Sequence, residues 1–173
     1  MKDRLNALKV ALNNEMSERQ FYLKNVERTK NPVGKAMFQQ IADEELEHYE
    51  RLKQLHENWE KEKKWPETVP LKVKNTGVKN LLKEAAKKDT KKSKGDADDL
   101  KAIQTAIEFE AKYTKYYTKL RDEVTDPKEK AFFSLLASIE HEHYVSLRDT
   151  ELYMIDPATW FKEREDSSLN DWR

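Results

Sequence analysis

The sequence holds no cysteine, only three glycines and five prolines in 173 residues. Without cysteine there can be no disulfide, no iron–sulfur or thiolate–zinc site and no thiol nucleophile. Without a Gly-x-Gly-x-x-Gly stretch there is no ordinary cradle for a flavin or nicotinamide cofactor. No run of about 18 apolar residues exists, so no helix spans a membrane. A surplus of one charge is also missing: Lys and Arg together number 33, Asp and Glu 33, and the net charge is zero. That balance removes the basic footprint expected of a nucleic-acid binder. The charged opening MKDRLNALKV cannot serve as a secretory signal, so the expected compartment is the cytoplasm. What is abundant is Lys, Glu, Leu and Ala, the composition of an all-α protein.

Because glycine and proline are scarce, they punctuate the chain clearly. Asn31-Pro32 and Asp126-Pro127 each read as an N-cap followed by proline at the first helical position, and Asp156-Pro157 repeats the device. Pro66 and Pro70 end a long helical stretch, and Gly77 and Gly95 frame a short one. The expected helices are A at 3–30, B at 32–63, C at 97–125 and D at 127–153. Helix A carries Leu5, Leu8, Leu12, Glu15, Tyr22 and Val26 on one seam, and helix B carries Phe38, Ile41, Glu45, His48, Leu52 and Leu55. Three- and four-residue steps of this kind mark a bundle helix. Short A–B and C–D connections make two antiparallel hairpins, joined by a long B–C crossover. Within the crossover Val78, Leu81, Leu82 and Ala85 predict a short helix. The expected architecture is a four-helix bundle over residues 1–155, with 156–173 a C-terminal tail packing on it.

The two hairpins are related by an internal repeat. A shift of 95 residues, Glu15 to Glu110, aligns them without a gap. Ala11, Glu15 and Tyr22 fall on Ala106, Glu110 and Tyr117, and Pro32, Ala36, Phe38 and Ala42 on Pro127, Ala131, Phe133 and Ala137. Glu45, Glu47, His48, Tyr49 and Leu52 fall on Glu140, Glu142, His143, Tyr144 and Leu147. Duplication of a helical hairpin accounts for this.

The chemistry lies in what is repeated. Glu15 and Glu110 stand in apolar seams, where a bare carboxylate does not belong. Glu45 with His48, and Glu140 with His143, are Glu-x-x-His pairs that place both side chains on one helix face. One Glu from each of two helices and Glu-x-x-His from each of two others is the ligand set of a dinuclear carboxylate site. Four carboxylates in one core carry −4, which two divalent cations neutralise. Oxygen-rich ligation with one imidazole per ion suits iron or manganese better than zinc or calcium. Glu44, Glu47, His141 and Glu142 neighbour the pairs and read as solvated. Tyr22 and Tyr117 are placed either to donate hydrogen bonds to carboxylates across the core or to serve as ordinary core tyrosines.

On these motifs, over residues 3–153, the sequence resembles the rubrerythrin-like branch of the ferritin-like superfamily. The segment DPATWF, Asp156 to Phe161, also resembles tails that follow the fourth helix there. The resemblance implies two irons bridged by Glu45 and Glu140, with Glu15, Glu110, His48 and His143 as terminal ligands. It implies reduction of hydrogen peroxide or dioxygen by the reduced pair. Such proteins carry an extra glutamate one turn after the third-helix ligand; here that position is Tyr113, and Glu18 holds the equivalent place on helix A as a possible seventh carboxylate. They also carry a cysteine-ligated rubredoxin iron, for which this chain has no ligands. Electrons are therefore expected from a separate, rubredoxin-like donor protein, with Lys83, Lys87, Lys88, Lys91, Lys92 and Lys94 as a docking patch or merely a solubilising one. A homodimer is the expected assembly. Ferroxidase iron handling and dimanganese catalase chemistry use the same ligand set and are the competing expectations, with a vestigial site in a structural bundle as the non-enzymatic one.

Overall fold

The computed structural model describes residues 2–62 and 73–170. Among these, six helices follow one another: α1 (Lys2–Arg28), α2 (Pro32–Glu62), α3 (Val78–Lys88), α4 (Ala97–Glu123), α5 (Pro127–Ile155) and α6 (Pro157–Asn170). α1 packs along α2 and α4 along α5 as two hairpins, α2 and α5 lie side by side, and α3 rests across both. This is the all-α, ferritin-like bundle expected from the repeat, with its crossover helix. The helix stop assigned to Pro66 and Pro70 lies outside the described residues.

The caps that locate the helices are made. Asn31 Oδ1 accepts from the backbone N–H of Val33 and Gly34, and Asp126 Oδ1 from Lys128 and Glu129. Asp96 and Asp99 form a reciprocal capping box at the start of α4. Asp99 also accepts from the N–H groups of Lys30 and Asn31, tying the α1–α2 turn to the end of the crossover. The crossover meets α5 closely at Gly95: its N–H donates to the Met154 carbonyl, and a Cβ there would stand 2.6 Å from Met154 Cε and 3.1 Å from Met154 Cβ, so the methionine side chain would have to shift. After Asp156 the described residues form the helix α6, Pro157–Asn170. Trp160 is buried against Tyr153, its indole N–H donates to Asp149, and Arg164 lies over its ring at 3.7 Å.

The core falls into two apolar zones. One holds Leu8, Leu52, Leu55, Tyr117, Phe133 and Leu136; the other holds Tyr22, Met37, Phe38, Ile41, Ile103, Leu147 and Tyr153. Each buried large side chain contributes about 1.5–3 kcal/mol. On the four long helices Glu15, Glu45 with His48, Glu110, and Glu140 with His143 fall between these zones. They form a polar layer sealed at both ends by hydrophobic packing.

Candidate metal centre

Glu15, Glu45, Glu110, Glu140 and His143 are wholly buried, and His48 nearly so. The helix positions explain this. Glu15 and Glu110 stand one turn beyond the core residues Ala11 and Ala106, and each Glu-x-x-His pair continues a buried stripe that reaches Leu52 on α2 and Leu147 on α5. Potential ligand atoms of Glu15, Glu45, His48 and Glu140 lie within 4.8 Å of one another, as do those of Glu45, Glu110, Glu140 and His143. Glu45 and Glu140 belong to both groups.

The atoms are arranged around two positions. His48 Nδ1 stands 3.3 Å from Glu15 Oε2, 3.3 Å from Glu45 Oε2 and 3.5 Å from Glu140 Oε1. His143 Nδ1 stands 3.3 Å from Glu45 Oε1, 3.5 Å from Glu110 Oε1 and 3.9 Å from Glu140 Oε2. Glu45 and Glu140 thus each turn one oxygen towards one histidine and the other oxygen towards the second. The two rings are nearly parallel, with centroids 6.3 Å apart.

Two tyrosines tie the layer across the bundle. The Tyr22 hydroxyl on α1 donates to Glu110 on α4, and the Tyr117 hydroxyl on α4 donates to Glu15 on α1. Of the two roles open to these tyrosines, the hydrogen-bonded one is present. Glu18 is 1 % exposed, with both carboxylate oxygens unpartnered. Tyr113, its counterpart on α4, is buried as well.

Burial and crowding of carboxylates shift the protonation of the layer. Burial, then the neighbouring Glu45, pushes the Glu15 carboxyl up to about 8. Burial followed by surrounding carboxylates raises Glu18 and Glu140 well above the usual range. Burial opposes charge on both histidines, yet the carboxylates facing them raise both well above the ordinary imidazole value. Glu15 Oε2, Glu45 Oε1, Glu110 Oε2, both oxygens of Glu140 and His143 Nδ1 are buried without a hydrogen-bond partner. Buried acceptors left this way are costly unless a cation completes them. A donor set of carboxylates with one imidazole per position fits two transition-metal ions, and these six residues would hold them.

One reading is corrected. Glu44 is not simply solvated: His143 Nε2 donates to its Oε2 at 2.6 Å, while its Oε1 accepts from Gln40 and, at 3.0 Å, from the Gly77 N–H at the start of α3. Burial works against its charge, but the His143 ring holds its carboxyl down at about 2. Glu47 is half-buried and accepts from the Lys74 N–H, whereas His141 is exposed. The signal for Glu44 was in the repeat, because its counterpart, 95 residues on, is Ile139, an apolar residue that faces the core.

The family model described as Rubrerythrin matches residues 6–151. A search of curated proteins finds no match, and neither does a search of solved structures.

Proposed function

The chain belongs to the rubrerythrin family, and from that premise we propose a non-haem diiron oxidoreductase that reduces hydrogen peroxide or dioxygen with electrons from a separate protein. The observation that carries this reading is the sharing of Glu45 and Glu140 between the two histidine-centred groups, so that these two carboxylates would help hold both ions. When bound and reduced, an iron pair supplies the two electrons that turn hydrogen peroxide, with two protons, into two waters. Manganese fits the same donors.

The chain's own residues supply orientation, exclusion of water and protons. The hydroxyls of Tyr22 and Tyr117 fix the rotamers of Glu110 and Glu15, so the terminal carboxylates meet the site without reorganising. The apolar zones on both sides keep the layer dry, which strengthens every charge interaction inside it. Glu18, with neither oxygen committed, is the group free to hold a proton beside the centre or to join it as a seventh carboxylate. With no cysteine in the sequence, the chain has no sulfur-ligated relay of its own, so the donor docks from outside.

The test is elemental analysis with an anaerobic peroxide titration of the reduced protein. The expected result is two ions per chain and oxidation of the pair by one equivalent of peroxide. In Glu45→Ala or Glu140→Ala at least one ion should be lost. Retention of two ions by both variants would refute the ligand assignment. Oxygen evolved from peroxide without a donor would move the reading to catalase chemistry, and growth of a mineral core on Fe(II) to iron handling.

A further inference from the structure

The two halves of the polar layer are not equivalent. His143 presents Nδ1 to Glu45, Glu110 and Glu140 and donates from Nε2 to Glu44 at 2.6 Å. His48 presents Nδ1 in the same way, to Glu15, Glu45 and Glu140. Among the described residues, however, its ring has no partner on the far side that corresponds to Glu44. The repeat shows why: the residue before Glu45 is Glu44, and the residue before Glu140 is Ile139, which is 2 % exposed and can accept no hydrogen bond.

We propose that Glu44 is a positioning residue that fixes the tautomer of His143, and that Ile139 at the related place leaves His48 without one, so the two metal positions bind with different affinity. The proposal rests on the dinuclear metal reading given above. A proton held on Nε2 by a carboxylate leaves the Nδ1 lone pair free, aimed at the centre, on a ring that cannot rotate. It also makes the imidazole a stronger donor to a cation. Glu44 carries a second link, because its other oxygen accepts from the Gly77 N–H. The start of the crossover helix is therefore fastened to the same carboxylate that orients a ligand.

Glu44→Gln separates the two links. Glutamine keeps a carbonyl oxygen for Gln40 and Gly77 but turns an amide donor towards His143. That favours the tautomer with hydrogen on Nδ1, which cannot ligate. The experiment is a titration of the full-length wild type and Glu44→Gln with cobalt(II), followed by calorimetry and visible absorption. The wild type should take up two ions in unequal steps, the tighter being the one lost in His143→Ala. In Glu44→Gln that step should weaken about 10–100-fold, the other should stay, and the Gly77 amide should exchange with solvent no faster than before. Two bound ions with unaltered constants, or both constants falling together as the Gly77 amide exchange quickens, would overturn the proposal and leave the metal reading standing. Equal steps in the wild type would overturn it without the variant. A wild type that binds no cobalt would overturn both.

Discussion

Glu18 is set apart from the other buried carboxylates by its company. Glu15 and Glu110 each hold a tyrosine hydroxyl, and Glu45 and Glu140 each face two imidazoles. Glu18 has both oxygens unpartnered, with the fields of Glu45, Glu110, Glu140 and Glu15 acting on it. Such a group contributes most as a mobile proton carrier, for which factors of 10²–10⁴ are typical. Glu18→Gln should therefore slow the reaction of the reduced protein with peroxide by about tenfold or more while metal content stays nearly constant. Tyr113→Phe should do much less. Stopped-flow traces identical to wild type would make Glu18 a structural residue only. The six proposed ligands were legible from sequence because each appears twice in register, and a carboxylate recurring in an apolar seam needs a reason. Glu44 was legible only as a mismatch in the repeat, opposite the apolar Ile139; its partner on α5 was not, because helical spacing within α2 does not say which residue lies opposite.

Elements were legible where punctuation is local. Asn31, Asp126 and Asp156 announce α2, α5 and α6 through side-chain caps formed within three residues. The extent of α6 was less plain, since it is held partly by tertiary contacts with α5 through Trp160, Phe161 and Arg164. α3 shows a sharper division. Val78, Leu82 and Ala86 are buried, while Lys83, Lys87 and Lys88 are exposed, and Lys91, Lys92 and Lys94 extend the basic face beyond its end. This helix lies across α2 and α5; its start is held by Glu44 next to the centre, while its basic end lies beside Tyr153 and Phe161, so a partner on the lysines would sit to one side of the centre. An acidic electron carrier would be steered to such a face, and steering is screened by salt. Replacing four of the lysines by Glu should cut donor-driven turnover about tenfold at low salt, with the gap closing as salt rises. Single-turnover oxidation of the pre-reduced protein should be unchanged. A donor-driven rate that ignores the substitutions at every ionic strength would remove the patch as the docking site.

For the molecule as a whole, the buried layer couples protons, metal and folding. Folded, Glu15 titrates at about 8, raised by burial and then Glu45, against an ordinary 4.5. Glu18 and Glu140 are raised too, by burial and by the carboxylates beside them. Both histidines are raised by the facing carboxylates in spite of burial. Each of these groups keeps its proton in the folded state at pH values where the unfolded chain has released it. Stability then falls as pH rises through that window, by about 1.4 kcal/mol per pH unit for each net proton. Glu44 and Glu45 are lowered, so their contribution has the opposite sign, but it is lost only as pH falls below the usual carboxylate range. Melts of the metal-free protein in chelator should therefore show the midpoint dropping from about pH 5.5 to pH 8.5. Two divalent ions neutralise the layer by displacing those protons, so loading should release protons and bind more tightly as pH rises. The separation between loaded and metal-free midpoints should widen over the same interval. A metal-free midpoint that holds steady or climbs from pH 5.5 to 8.5 would show that the layer does not store protons in place of metal, and the charge argument for the dinuclear centre would fall with it.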